Sequence, residues 1–183
     1  MINLRKLLNL PPLTTLRLTK LEAARRQLRT AIVMFLEDRD PVSIYALASA
    51  AQDVLRGLLK AKGKEAISVK DSDFVKPEWL TLWRRSLNQY QNFLKHADED
   101  PDEVLEFKLD LLPVTLIDCV RMYSALTGQM IREGAAFMTW YTRQYPDRLK
   151  PGVFAESARR AGAVDRGSIL RLLNQPEQWP GTD

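Results

Sequence analysis

The sequence predicts an all-α protein, an antiparallel helical bundle of about five main helices with short terminal helices. Alanine, leucine, arginine, glutamate and glutamine dominate the long segments, and all of them have high helix propensity. Apolar residues recur at spacings of three and four, which is the period of one helix face, whereas strand-like alternation is scarce. With 45% hydrophobic and 27% charged residues, the composition is ordinary for a soluble globular protein.

A chain of 183 residues is long enough for one domain with a substantial core. We divide it into an N-terminal segment over 1–13, a helical bundle over 14–146, and short C-terminal helices with a tail over 147–183. No stretch approaches the ~20 apolar residues of a membrane helix, and the start lacks the features of a secretory leader. We therefore expect a cytoplasmic protein of bacterial type with no membrane partner. The single cysteine, Cys119, excludes an internal disulfide and is expected to be buried.

The first two helices have recognisable boundaries. The first is predicted from about Thr14 or Thr15 to Glu37, and its apolar face comprises Leu18, Leu21, Leu28, Ile32 and Phe35. The second is predicted to begin at Asp40-Pro41, a carboxylate cap followed by proline at the first helical position. Gly63 is a typical residue for its C-terminal end.

The third helix, predicted to open at Pro77-Glu78, carries two stripes of side chains. Its apolar stripe comprises Leu80, Trp83, Leu87, Tyr90 and Leu94. Its polar stripe comprises Arg85, Gln89, Asn92 and His96, at spacings of four, three and four that place them on one face. Such a polar stripe is typical of the solvent-exposed side of a helix, and it is also where a binding site would lie.

The C-terminal half is predicted to continue as helices. One helix follows Pro113 and stops at Gly128, and the next covers 129–145. Its residues directed toward the core are Met130, Ile131, Phe137, Met138 and Tyr141. Two short helices are predicted over the residues 153–161 and 168–174. Of the tryptophans, we expect Trp83 and Trp140 in the core and Trp79 and Trp179 at interfaces.

Several kinds of site are excluded by the residues present. There is no glycine-rich phosphate loop and no G-x-S-x-G turn. One histidine and one cysteine do not make a zinc site or a nucleophilic Cys–His pair at useful spacing, so we expect no metal and no cofactor. The acidic run 98–103 lacks the spacing of a calcium loop and predicts a turn, in which Asp98 or Asp100 caps the following segment.

The stretch Asn92-Phe93-Leu94-Lys95-His96-Ala97-Asp98, late in a helix of an all-helical chain, resembles the motif of the HEPN superfamily (higher eukaryotes and prokaryotes nucleotide-binding domains). Active members of that family carry arginine, four to six further residues and histidine, and asparagine often follows the arginine. The arginine and histidine of two subunits meet across a dimer, and RNA is cut without metal. The wider segment 92–107 also resembles a group of uncharacterised bacterial helical proteins.

The resemblance implies that His96 and Asn92 are the catalytic candidates and that Gln91, Lys95 and Arg85 contact the substrate. Gln91 stands where the family has arginine, and an uncharged amide stabilises a phosphorane poorly. Lys95 points about 100° away from His96 around the helix, and Arg85 lies about 16 Å away along its axis. Arg85 would help only across a homodimer, and the acidic run would repel phosphate.

We therefore predict a HEPN-like scaffold, RNA-associated or of the toxin–antitoxin type, that is catalytically weak or inactive; if it is an enzyme, it is a metal-independent ribonuclease. The net charge of +4 permits RNA as a partner without requiring it. Such a module predicts an open, basic-rimmed groove at His96.

The alternative is a non-enzymatic protein–protein interaction or scaffold module. In this case His96 is an ordinary helix end, stabilised by the helix dipole and bonded to Asp98 or Asp100. The apolar residues of the N-terminal segment and the long helices would then bind a protein partner or a second copy. Those N-terminal residues are Leu4, Leu7, Leu8 and Leu10.

Overall fold

A computed structural model describes residues 15–64, 67–71, 80–96, 98, 101–148 and 152–174, and over these residues it confirms the all-α fold class. Seven α-helices and no β-strand are present in these ranges. The helices are α1 (Lys20–Leu36), α2 (Pro41–Lys60), α3 (Leu80–Lys95), α4 (Leu111–Thr127), α5 (Arg132–Gln144), α6 (Val153–Ala161) and α7 (Arg166–Leu173). No helix of the described part of the chain is both long and apolar enough to cross a membrane.

Helix α1 begins at a capping box rather than at the predicted Thr14 or Thr15. The hydroxyl of Thr19 accepts a hydrogen bond from the Glu22 amide at 3.1 Å, and the Glu22 carboxylate accepts one from the Thr19 amide at 2.8 Å. These two bonds satisfy amides that the first turn of a helix leaves unpaired. The predicted start was therefore too early, and Leu18, predicted on the apolar face, is exposed.

Helix α2 begins as predicted. The Ser43 amide donates to the Asp40 carboxylate at 2.7 Å, and Pro41 is the first helical residue. Helix α4 begins at Leu111, two residues before the predicted Pro113, because a proline in the first turn removes no intrahelical bond. Its predicted end is correct, since Gly128 adopts a φ of 76° and donates to Ser124 O at 2.8 Å.

Helix α5 starts at Arg132, later than predicted, and Met130 lies exposed ahead of it, so the expectation that Met130 faces the core was wrong. Ile131, predicted toward the core as well, is buried. The short helices α6 and α7 are close to their predicted ranges. Helix α7 begins two residues early because the Asp165 carboxylate accepts from the Ser168 amide at 2.9 Å.

The core lies where α1 packs along α2 and α2 packs along α4. One aromatic group joins α1 to α5: the Phe35 ring centroid lies 5.5 Å from that of Phe137 and 5.1 Å from that of Trp140, both edge-on. A second group, Tyr45, Tyr90 and Phe107, joins α2 and α3 to the segment that precedes α4. The predictions that Trp140 and Cys119 are buried are confirmed.

Replacement of Phe137 by alanine tests the core. This side chain is fully buried and contacts both Phe35 and Trp140, so Phe137→Ala should lower the free energy of unfolding by about 3–5 kcal/mol. Urea denaturation followed by circular dichroism measures the loss. Val104→Ala is the control, because Val104 is 90% exposed and its truncation should change stability by less than about 0.5 kcal/mol. Equal effects of the two substitutions would contradict the assignment of the core.

Candidate functional site

Helix α3 divides the predicted site residues between two faces. Gln91 and Lys95 lie one turn apart on the side that meets α2, and Gln91 is only 5% exposed. Asn92 and His96 follow each of them by one residue and are exposed. Because successive residues are about 100° apart around a helix, neighbours in sequence point in different directions. The structure therefore brings Gln91 and Lys95 together in one place and leaves Asn92 and His96 on another surface.

Gln91 belongs to a cluster of four side chains that we call the Asp53 cluster: Asp53 of α2, Lys70 of the 3₁₀ turn Val69–Asp71, and Gln91 and Lys95 of α3. The Gln91 amide nitrogen donates to Asp53 Oδ2, and its oxygen accepts from Lys70 Nζ at 3.3 Å. Lys70 Nζ lies 3.5 Å from Asp53 Oδ1, and Lys95 Nζ lies 3.5 Å from Asp53 Oδ2. Both ends of the Gln91 amide are therefore engaged inside the bundle.

Lys70 is the buried cation of this cluster. Its side chain is folded against α2 and α3, and the residue is 3% exposed. Burial lowers the pKa of Lys70, because an ammonium group that leaves water loses solvation in its charged form, and the nearby Asp53 carboxylate opposes this effect. The charged form of Lys70 is thus costly to keep in this position.

Asp118 of α4 forms a second buried group directly beside the first. It is 1% exposed, and its Oδ2 accepts from Gln52 Nε2 at 2.8 Å and from Ser68 Oγ at 3.2 Å. Its Oδ1 accepts from the Val69 amide at 2.9 Å. Burial raises the pKa of Asp118, and these three hydrogen bonds oppose the rise. The carboxylate therefore holds the 67–71 segment against α2 and α4.

A cavity of about 20 Å³ lies between these groups, with Lys70, Gln52 and Asp118 among its lining residues. This volume is enough for about one water molecule and too small for a substrate. Sequence reasoning missed Asp53, Lys70 and Asp118. The signal that would have found two of them is a carboxylate inside a helix that is otherwise apolar, at Asp53 and at Asp118.

The predicted polar stripe of α3 forms one exposed surface, comprising Arg85, Gln89, Asn92 and His96. His96 is the first residue after α3, and its amide donates to Asn92 O at 2.9 Å. The acidic residues that follow and are described, Asp98, Asp102 and Glu103, are exposed as well. Arg85 lies on the same face about 16 Å from His96 along the helix, so one copy of the chain does not bring these two side chains together.

Some predicted features lie outside the described residues. They are the N-terminal segment with its leucines, the Pro77-Glu78 start of the third helix, Trp79, the burial of Trp83, Trp179, and the cap by Asp100. Among the side chains that are described, no three histidine, cysteine, aspartate or glutamate groups converge as a metal-binding set.

Removal of the Lys70 charge should change how stability depends on pH. The pKa of Lys70 is lowered on folding, so between that value and 10.5 the unfolded chain binds more protons, and stability rises with pH in this window. Lys70→Met removes this contribution, and the gain in unfolding free energy from pH 8 to about pH 10 should be smaller than in the wild type. Urea denaturation at both pH values measures the difference.

The matched control is Lys95→Met. Lys95 pairs with the same Asp53 carboxylate but is half-exposed, and this variant retains Lys70, so its pH dependence should follow the wild type. Identical pH dependence in the wild type and in Lys70→Met would show that the burial of Lys70 has no cost in its charged form.

No family model, no curated protein and no solved structure matches this chain. The resemblance to the HEPN superfamily therefore depends on the residues 92–98 and the all-helical fold alone. What the chain does must accordingly be inferred from the geometry of its own side chains.

Proposed function

We propose that this chain is a HEPN-like helical domain that associates with RNA and does not cut it, as a binding module of the toxin–antitoxin type. The observation that carries the proposal is the position of Gln91. This residue stands where the family has arginine, it is 5% exposed, and its amide is bonded to Asp53 and Lys70. A neutral side chain with both polar atoms engaged in the bundle contributes no charge to a phosphate.

The other candidate cations do not replace the missing arginine. Cleavage through the 2′-hydroxyl requires a base for that hydroxyl and a cation on the developing phosphorane charge. His96 is exposed, and histidine is the side chain that acts most often as a general base. Lys95, however, lies against Asp53, and Arg85 is about 16 Å away along the helix. Of the predicted helper cations, Lys95 is therefore paired with a carboxylate and Arg85 is too distant to assist His96 within one copy of the chain.

The same surface is suited to contact an RNA backbone. Arg85, Gln89, Asn92 and His96 are all exposed and present hydrogen-bond donors along one side of α3. Donors of this kind bind phosphate and sugar oxygens without selecting a sequence. In a homodimer that paired two of these surfaces, Arg85 of one copy would approach His96 of the other.

A protein partner is the second candidate, favoured by a different observation. Val104 is 90% exposed, and its described neighbours Asp102, Glu103 and Glu106 are exposed acids. The acidic side chains of this segment repel phosphate. Together with the exposed apolar side chain, they suit a protein surface with basic residues. If this segment is the functional one, the chain is a protein–protein interaction module.

Incubation with RNA in EDTA tests the absence of cleavage. We expect no cleavage by the purified wild type or by His96→Ala, at high protein concentration and with several RNAs, because Gln91 is neutral, Lys95 pairs with Asp53 and Arg85 is distant along the helix. A metal-independent activity of the wild type that is lost in His96→Ala would contradict the proposal and establish a ribonuclease.

RNA binding is tested by fluorescence anisotropy with a labelled single strand. Arg85→Ala should weaken binding about three- to ten-fold, since one phosphate contact is lost. The slope of log Kd against log salt concentration should decrease by about one, which corresponds to one fewer released ion. The matched control is Arg159→Ala, which removes an exposed arginine of α6 that pairs with Asp147 at 3.0 Å. Absence of RNA binding, or equal losses in both variants, would leave the protein–protein interaction as the supported function.

A further inference from the structure

A cleft of about 380 Å³ lies where five helix ends meet: the C-terminal ends of α1 and α5 and the N-terminal ends of α2, α4 and α7. Its apolar lining comprises Phe35, Ile44, Leu112, Trp140 and Tyr145. Its charged lining comprises Asp38, Arg39, Asp110 and Arg166. Clefts of this size with an apolar wall and a few polar groups are typical of sites for small organic molecules.

Arg166 is held in a fixed position at this cleft. Its Nη1 donates to Phe35 O at 3.0 Å and to Asp38 Oδ1 at 2.6 Å. Its guanidinium carbon lies 4.2 Å from the centroid of the Phe35 ring and 5.2 Å from that of Trp140, both within the range of cation–π contact. A side chain placed in this way loses little further freedom when a ligand binds.

The guanidinium of Arg166 retains donors for a ligand. Its two hydrogen bonds both come from Nη1, and Nε and Nη2 have no partner among the described residues. The Arg166 side chain is 32% exposed, so a molecule in the cleft can reach it. The parallel N–H groups of guanidinium match the two oxygens of a carboxylate.

Asp38, the present partner of Arg166, is easily displaced. Its side chain is almost fully exposed, and exposed ion pairs contribute little to stability. Asp38 is also the one non-glycine residue with positive φ, 57°, among the described residues, a conformation that aspartate tolerates better than most residues. In this conformation the Asp38 carboxylate accepts from Nη1 of Arg166, so the guanidinium already pairs with a carboxylate at this opening.

We propose that the cleft binds a small organic carboxylate with an aromatic or branched apolar body. The carboxylate pairs with Arg166, and the apolar body lies against Trp140, Tyr145 and Ile44. Asp38 and Asp110 at the same opening repel a second negative charge, and Arg39 of the lining is already paired with Glu37 at 3.1 Å. Both features disfavour phosphate esters and other polyanions. The exposed face of α3 does not line this cleft, so the site is independent of the proposed association with RNA.

Isothermal titration calorimetry with 3-phenylpropionate tests the site in the full chain. We expect a Kd in the millimolar range or tighter, and binding of the neutral 3-phenylpropionamide that is weaker by at least about ten-fold, because the amide lacks the charge that pairs with Arg166. Inorganic phosphate should not compete with the carboxylate.

Two substitutions locate the binding. Arg166→Met should weaken binding of 3-phenylpropionate by at least about ten-fold, whereas Arg159→Met, which removes another arginine paired with an aspartate, should leave it unchanged. Asp38→Asn should strengthen binding about three-fold or more, because it removes the competing charge and asparagine tolerates the same backbone conformation.

The proposal would be overturned by absence of binding at about 10 mM carboxylate, by equal binding of the amide, or by a folded Arg166→Met that binds as the wild type does. If Arg166→Met fails to fold, Asp38→Asn decides: tighter binding supports the site, and unchanged or weaker binding overturns it.

Discussion

Two neighbouring residues of α2, Gln52 and Asp53, hold the candidate site together. Gln52 bonds to Asp118 of α4, and Asp53 bonds to Lys70 and to two residues of α3. These contacts join α2, α3, α4 and the 67–71 segment. Since a buried charge is stable only when it is paired and hydrogen-bonded, the buried Lys70 and Asp118 depend on these partners.

This arrangement decides which side of α3 faces water. Gln91 and Tyr90 are buried, and Lys95 forms a salt bridge with Asp53. Because of the helix geometry, Asn92 and His96 are then exposed to solvent. Gln91, where the resemblance to the HEPN superfamily would place arginine, thus contributes its polar atoms to contacts within the bundle. A Gln91 amide that is bonded to Asp53 and Lys70 is not available to stabilise a developing negative charge on a substrate.

The cleft at Arg166 lies where the ends of five helices meet. Apolar residues at the ends of α1, α2, α4 and α5 line it. The contact of Arg166 with Phe35 and Asp38 links α7 to α1 across more than a hundred residues of chain. A guanidinium on an aromatic ring, beside an apolar gap, combines one charge with a surface that excludes water.

The sequence by itself determined the all-α class, most helix positions and the burial of Phe137, Trp140 and Cys119, because these follow from local propensity and from the period of apolar residues. It also identified the exposed polar stripe of α3 and the Asp40-Pro41 start. Its errors at Leu18, Met130 and Pro113 lie at helix ends, where caps and first-turn geometry decide the boundary.

Only the tertiary structure decided that Gln91 is buried on Asp53 and Lys70, and that Arg166 meets Phe35. The partners are 38, 21 and 131 residues apart in the chain, and no local pattern relates residues at such distances. The sequence of a helix does not distinguish a polar side chain that hydrogen-bonds to water from one that hydrogen-bonds to a buried charge. The difference depends on which helix packs against it.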